Sequence, residues 1–396
     1  MNTQTAKPIH WVATAPQLQR MIDALAEQPL LALDTEFMRT DTFYAKLALL
    51  QLSDGDSIWL VDFPALEDAE PLRKLLNRTD LTTLVHACGE DLEVLESALQ
   101  VVPAKLFDTQ LAAAYLNRGF SLGYARLVEQ LCGVVLDKQA TRSDWLQRPL
   151  TAQQRSYAAC DVDFLHRLHG QLAGELAATA RLDWFEEEMR ALLATADERN
   201  STADYYLKLT AAWEFSPAQL YQLDALCSWR EQLARDLDLP RGRLFKDPQL
   251  LEAVRSGAAT VDQLRGCADP HPASLRKFGE QLIDQLQRAR REAAAHPVVR
   301  VAPPRPLTRA EGALFKALRS QVEQCAERLN IAKELLANKR ELEQLVRQHS
   351  DGVAVEQLVW PQRLLTGWRC EQLKPLLSDL YQSSQSSVSG EQNRVV

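Results

Sequence analysis

The stretch LLALDTEF, Leu30–Phe37, sets an apolar run directly before two acids. Leu30–Leu33 reads as a buried strand that ends in Asp34 and Glu36. Working outward, Asp91 in VHACGEDLEVL sits one turn into an apolar-periodic helix. Tyr157 and Asp161 in SYAACDVDFL stand four apart on another helix, and so share one face. Together these segments place four carboxylates and a phenol where they can converge. Clustered carboxylates raise one another's pKa and call for cations. Hard oxygen ligands select magnesium or manganese, and two such ions about 3.5–4 Å apart serve in-line displacement at phosphorus. These residues point to a metal-dependent nuclease.

A chain of 396 residues suggests two or three domains and has ample length for a core. With 46% hydrophobic and 25% charged residues it has ordinary globular composition. The seven cysteines are scattered without a C-x-x-C pair, which argues against zinc and against a disulfide framework. The start, MNTQTAKPIHW, has no basic segment followed by an apolar one, and no apolar run approaches 18 residues. A cytoplasmic protein without signal peptide or membrane span is expected. A net charge of −8 counts against a binder held to nucleic acid by charge alone. It counts less against a nuclease whose acids are balanced by metal. Charge is also uneven: Pro297–His349 carries ten basic residues against six glutamates. That excess reads either as a solvated helical face with i, i+4 pairs or as a surface for an RNA backbone.

The first half alternates strands and helices. Lys46–Leu52 and Ser57–Phe63 flank Asp54-Gly55, a strong hairpin signal. Further elements are expected at Leu66–Leu76 (helix), Leu81–His86 (strand), and Glu90–Leu99, Thr109–Leu116 and Leu122–Leu131 (helices). A long helix follows from about Ala152 to Leu176, with Thr151 as N-cap. The pattern predicts an α/β domain with a mixed sheet flanked by helices. Beyond residue 200 only helical periodicity remains. It covers Pro217–Leu237, Asp247–Ser256, Ser274–Arg290, Ala310–Leu329 and Lys339–Gln348, and the proline-rich Pro297–Pro306 acts as a linker. Leu226–Pro240 aligns with Leu318–Ala332, each followed by a short apolar helix, which suggests two copies of one small all-α module. The domains expected are 1–205, 210–294 and 307–384, with a disordered Ser/Gln-rich tail over 385–396.

No single acid is diagnostic, because surface acids and helix-first-turn acids are common. The conjunction is, and it resembles the three motifs of the DEDD superfamily of 3′→5′ exonucleases, in the subclass with tyrosine in the third motif. Ser143–Trp145 and RPLTAQQRSYAACDV, Arg148–Val162, narrow the resemblance to the bacterial ribonuclease D family. The helical repeats resemble that family's HRDC modules. The resemblance implies an RNase H-like fold, hydrolysis from a single-stranded 3′ end to nucleoside 5′-monophosphates, and two divalent ions. It implies that Asp34, Glu36 and Asp161 hold the first ion. Asp34 also reaches the second, where Asp91 acts largely through water. Tyr157, a poor base at its ordinary pKa of about 10, is expected to orient the attacking water. Phe37 and Met38 are candidates for stacking on the terminal base, and His86 for a substrate contact. Asp108 reads as a helix N-cap, not a ligand.

The expected substrate is structured RNA, chiefly tRNA precursors, and the expected state is a monomer. The helical modules are expected to set substrate preference without affecting chemistry. A DNA exonuclease with the same site is the enzymatic alternative. A nucleic-acid-binding scaffold with an inert nuclease fold is the other, against which the intact acids argue.

Overall fold

The computed structural model describes residues 7–136, 143–194, 204–295, 300–354 and 357–392, with side chains as far as 379. It divides into two compact units. One comprises Met1–Met38, Leu47–Ala196 and Leu307–Val396, the other Arg39–Lys46 and Asp197–Pro306.

The first unit is built on a six-stranded mixed sheet. Its strands are β1 (Ile9–Val12), β2 (Leu30–Met38), β3 (Lys46–Ser53), β4 (Ile58–Asp62), β5 (Thr82–Val85) and β6 (Leu106–Asp108), in the order β1-β4-β3-β2-β5-β6. The β3–β4 hairpin closes where expected. Gly55 takes the positive φ that its turn requires, and Asp54 Oδ1 accepts from the Asp56 and Ser57 amides at 2.9 and 2.8 Å. β2 and β6 run parallel to β5, and β1 parallel to β4. The registers Ala32↔Leu84 and Val85↔Asp108 bring the carboxyl ends of β2, β5 and β6 together. A crevice outside such ends is where α/β sheets bind ligands. Both faces of the sheet are covered: Leu31, Ala32, Leu33, Leu49 and Leu50 have at most 1% exposure.

The helices of this sheet domain are α1 (Ala15–Leu25), α2 (Glu70–Leu76), α3 (Gly89–Leu99), α4 (Thr109–Tyr115), α5 (Tyr124–Cys132), α6 (Ala152–Asp163), α7 (Leu165–Ala178) and α8 (Leu182–Ala194). The continuous helix expected over Ala152–Leu176 is therefore two helices, broken at Phe164. The cause is a side chain in the backbone ladder. The Tyr124 hydroxyl donates to the Cys160 carbonyl (3.0 Å) and accepts from the Phe164 amide (3.2 Å), the two groups that an unbroken helix would pair. Thr151 and Gln154 form the capping box that starts α6.

The helical part continues with α9 (Pro217–Asp236), α10 (Arg241–Leu244), α11 (Asp247–Ser256), α12 (Val261–Ala268), α13 (Pro272–Ala295), α14 (Arg309–Leu329), α15 (Lys339–Ser350) and α16 (Gly367–Gln392). The repeat is visible in backbone as well as sequence. Asp238 and Asn330, equivalent in the alignment, both adopt left-handed φ, +48° and +49°, just past the ends of α9 and α14. Helix α16 runs into the stretch expected to be disordered from 385, because serine and glutamine lower helix stability without breaking it.

The second module is not a separate body. Its residues, expected as a helical domain over 307–384, belong to the same compact unit as the sheet. Arg369, buried at its guanidinium, meets the Glu188 carboxylate and reaches Tyr115 Oη at 3.1 Å and the Leu335 carbonyl. Trp368 stacks on Trp184 with ring centroids 4.6 Å apart and planes 10° apart. Arg181 donates to the Leu329 carbonyl at 2.7 Å, and the Ala332 amide to Ala114 at 3.1 Å. The basic excess of this module is laced with ion pairs, Arg319–Glu323, Lys333–Glu323, Lys339–Glu343 and Arg347–Glu343, as a solvated helical face would be.

The second unit packs α9–α13 around Leu223, Leu226, Phe245, Leu282 and Leu286. It also contains Arg39–Lys46, the connection between β2 and β3. Phe43 lies under the guanidinium groups of Arg235 and Arg241, at 5.1 and 4.8 Å, and the Phe43 and Tyr44 amides donate to Asp238. No sequence pattern announces this exchange of an eight-residue segment between units.

Candidate active site

Three of the acids converge. Carboxylate oxygens of Asp34, Glu36 and Asp161 lie within 4.8 Å of one another, the group among the described residues suited to a metal ion. Strand alternation explains the first two: residues 34 and 36 project from one face of β2 and Thr35 from the other. Asp161 comes from α6, which packs on β2 and β4. Electrostatics shows that the cluster needs cations. Burial, then Asp91 and Asp161, holds the Asp34 carboxyl well above the usual range. Burial, then Asp34 and Asp91, pushes Glu36 up to about 9. Asp161 is raised by burial and Glu36. Such groups keep a proton near neutral pH unless a cation replaces it. All the donors are hard oxygens, so the residues fit a divalent ion of the magnesium or manganese type.

Asp91 stands beside this trio, close enough to raise Asp34. It is 9% exposed and has its pKa pushed up to about 6, chiefly by burial. Its Oδ1 accepts the Thr35 hydroxyl from the opposite face of β2. Asp108 fixes the turn that launches α3. Its carboxylate caps α4 by accepting from the Gln110 and Leu111 amides (2.8 and 3.2 Å) and also takes the Ala87 and Cys88 amides (3.2 and 3.0 Å). The N-cap reading of Asp108 is therefore right, and its hold on the Ala87–Cys88 turn is additional.

Tyr157 donates to the Asp161 carboxylate, one turn away on α6. Burial, then Asp161, Glu36 and Asp34, drive its phenol far above its ordinary pKa, so the proton stays on the oxygen. Its ring lies 6.0 Å from that of buried Trp145. Arg148 ties this segment to the sheet through Asp62 (2.6 Å) and the Ala48 carbonyl (2.8 Å). The conspicuous Ser143–Val162 stretch is thus the scaffold of α6.

Phe37 and Met38 end β2 directly after Glu36, both partly exposed. His86 has both ring nitrogens engaged inside the fold. Nδ1 is 2.9 Å from Thr109 Oγ1 and Nε2 is 3.0 Å from the Leu122 carbonyl, with the Tyr124 ring edge-on at 5.5 Å. Thr35 and Tyr124 are not evident in the sequence. Thr35 sits within the D-T-E triplet, where alternation could have flagged it, whereas no local signal marks Tyr124.

Comparison with known proteins gives this geometry its class. Residues 9–177 match the 3′-5′ exonuclease family, 219–286 the HRDC domain, and 312–377 the C-terminal HRDC domain of ribonuclease D. The fold and site define a metal-dependent 3′→5′ exoribonuclease carrying HRDC domains. Ribonuclease D of Pseudomonas paraeruginosa is 36% identical over 381 residues, 96% of this chain and 99% of the relative. That of Escherichia coli is 32% identical, covering 94% and 98%. The crystal structure of Escherichia coli RNase D, described as an exoribonuclease involved in structured RNA processing, superposes with a TM-score of 0.83 at 31% identity, over 97% of this chain and 99% of that one. The chain belongs to the ribonuclease D family.

Proposed function

We propose that the protein trims 3′ ends of structured RNA, chiefly tRNA precursors, by two-metal hydrolysis that releases nucleoside 5′-monophosphates. The observation that carries this reading is the convergence of Asp34, Glu36 and Asp161, with Asp91 beside them, at the carboxyl ends of β2 and β5. Asp34, Glu36 and Asp161 would hold one ion, and Asp34 and Asp91 would hold a second. Two magnesium or manganese ions, when bound, supply positive charge for attack at phosphorus and for the departing 3′ oxygen. Tyr157, which keeps its proton, orients the attacking water. Phe37 and Met38 are placed to meet the terminal base just beyond Glu36. His86 serves the substrate indirectly, since its nitrogens face the protein.

The part that Escherichia coli RNase D takes in structured RNA processing supports structured RNA as the substrate class. Seven scattered cysteines without a C-x-x-C pair suit a reducing compartment, the cytoplasm. The working unit is a monomer, because one chain supplies all five residues of the site. The test is hydrolysis, with manganese, of a tRNA bearing a 3′ tail beside a matched single-stranded DNA. Stepwise release of 5′-monophosphates from the tail is expected, with DNA much slower. Equal rates on DNA would refute the RNA assignment.

A further inference from the structure

The helix that carries Tyr157 and Asp161 is broken by a residue with no place in the chemistry above. We propose that Tyr124 is a positioning residue that sets Asp161 by holding α6 and α7 apart. The inference rests on reading Asp161 as a metal ligand. The Cys160 carbonyl, immediately before Asp161, accepts the Tyr124 hydroxyl where a regular helix would offer it the Phe164 amide. That amide turns to the same phenol oxygen. With its proton on Cys160 and a lone pair on Phe164, the hydroxyl is engaged on both sides of the break.

The two helices on either side of the break have different neighbours. Helix α6 packs on β2 and β4, whereas α7 packs on β2 and β5 and on α4 and α5. Unbroken, Ala152–Ala178 would be one helix of 27 residues about 40 Å long; the break at Phe164 divides it into two. A phenylalanine at 124 would fill nearly the same space but leave the ladder free to close. Closure would move the Cys160–Asp161 peptide and, with it, the carboxylate that must stay within reach of Asp34 and Glu36. The wedge is itself held: the His86 ring meets it edge-on, and His86 is fixed by Thr109 and Leu122. A line of contacts thus joins the end of β5, from which α3 and Asp91 depart, to the carbonyl preceding Asp161.

Tyr124→Phe in the full-length protein tests this. Outer partners of metal ligands change metal affinity by about 10–100-fold when removed. Manganese affinity of the RNA-free protein, read by electron paramagnetic resonance, is expected to fall about tenfold. On a short RNA, kcat should fall about tenfold and recover towards wild type at high manganese, with KM within about threefold. His86→Gln, which withdraws the buttress and leaves the hydroxyl, keeps the test open if Tyr124→Phe does not fold; a fall of manganese affinity by about threefold or more is expected there. A lowered melting temperature with manganese affinity and kcat unchanged, or a raised KM at unchanged kcat, would overturn the proposal. Asp161→Ala run alongside separates the two readings. Full manganese binding and activity in Asp161→Ala removes the ligand assignment itself. An inactive Asp161→Ala beside a wild-type Tyr124→Phe removes only the wedge.

Discussion

Glu36, at the residue scale, belongs to an acid cluster suited to a metal ion. Its carboxyl is pushed from an ordinary 4.5 to about 9 by burial and by Asp34 and Asp91. Between those values the folded protein holds a proton that the unfolded chain has released. Stability must therefore fall as pH rises through that window, and Asp34 and Asp161 shift in the same sense. For chelator-treated protein, the melting temperature is expected to drop between pH 6 and 9. Manganese should flatten the curve, as should Glu36→Gln in the absence of metal. A curve for metal-free wild type no steeper than that of Glu36→Gln contradicts the account. Tyr157→Phe probes the neighbouring phenol: its packing beside Trp145 is kept, and only the hydroxyl proposed to orient water is lost. A reduction of kcat by roughly 10²-fold is expected, with the pH profile unchanged because the phenol never ionises in the working range. A near-wild-type rate would make Tyr157 a packing residue. The convergence of Asp34, Glu36 and Asp161 was legible through the conjunction of the three segments and not through any single acid. Thr35 was not, because a hydroxyl on the buried face of a strand ordinarily bonds its own backbone.

Length alone did not decide which elements were legible: the four-residue β5 was expected, whereas α1, α8 and the 26-residue α16 were not. The strand Leu30–Met38 and the helices Asp247–Ser256 and Arg309–Leu329 carry enough periods to declare themselves. β1 and β6, with four and three residues, do not, and their place in the sheet comes from pairing with β4 and β5. The break at Phe164 was invisible for a different reason. Its cause lies 40 residues earlier, in a hydroxyl whose proximity only the tertiary fold creates. The start of the same helix is local and was readable: Thr151 Oγ1 accepts from the Gln154 amide at 3.1 Å. Thr151→Ala is expected to cost about 1 kcal/mol in chemical denaturation, with activity at saturating manganese nearly kept. An unchanged midpoint would show that Arg148, through Asp62, fixes the start of α6 without the cap.

At the scale of the whole molecule, the modules were legible and their partition was not. The repeat identified two HRDC copies, yet the second shares a core with the nuclease and the first takes up Arg39–Lys46, the chain that leaves the catalytic strand. Truncation before Thr308 should therefore destabilise the nuclease by baring Trp184 and Glu188, and not merely alter substrate preference. Arg369→Ala isolates that effect, because it takes the cation from the Glu188 carboxylate and leaves it only the Tyr115 hydroxyl at a largely buried junction. A loss of about 3–5 kcal/mol is expected in denaturant unfolding, and an unchanged midpoint would mean that the junction is dispensable. Four carboxylates, Asp34, Glu36, Asp91 and Asp161, are proposed to carry the metal-dependent exoribonuclease chemistry. The most direct test is release of 5′-monophosphates from a 3′-tailed RNA by full-length protein and by Asp34→Ala, in manganese, after confirming that the variant is folded. A loss of about 10³-fold or more is expected, equivalent to several kcal/mol of transition-state stabilisation, whereas a variant retaining a tenth of the wild-type rate would refute the role of Asp34.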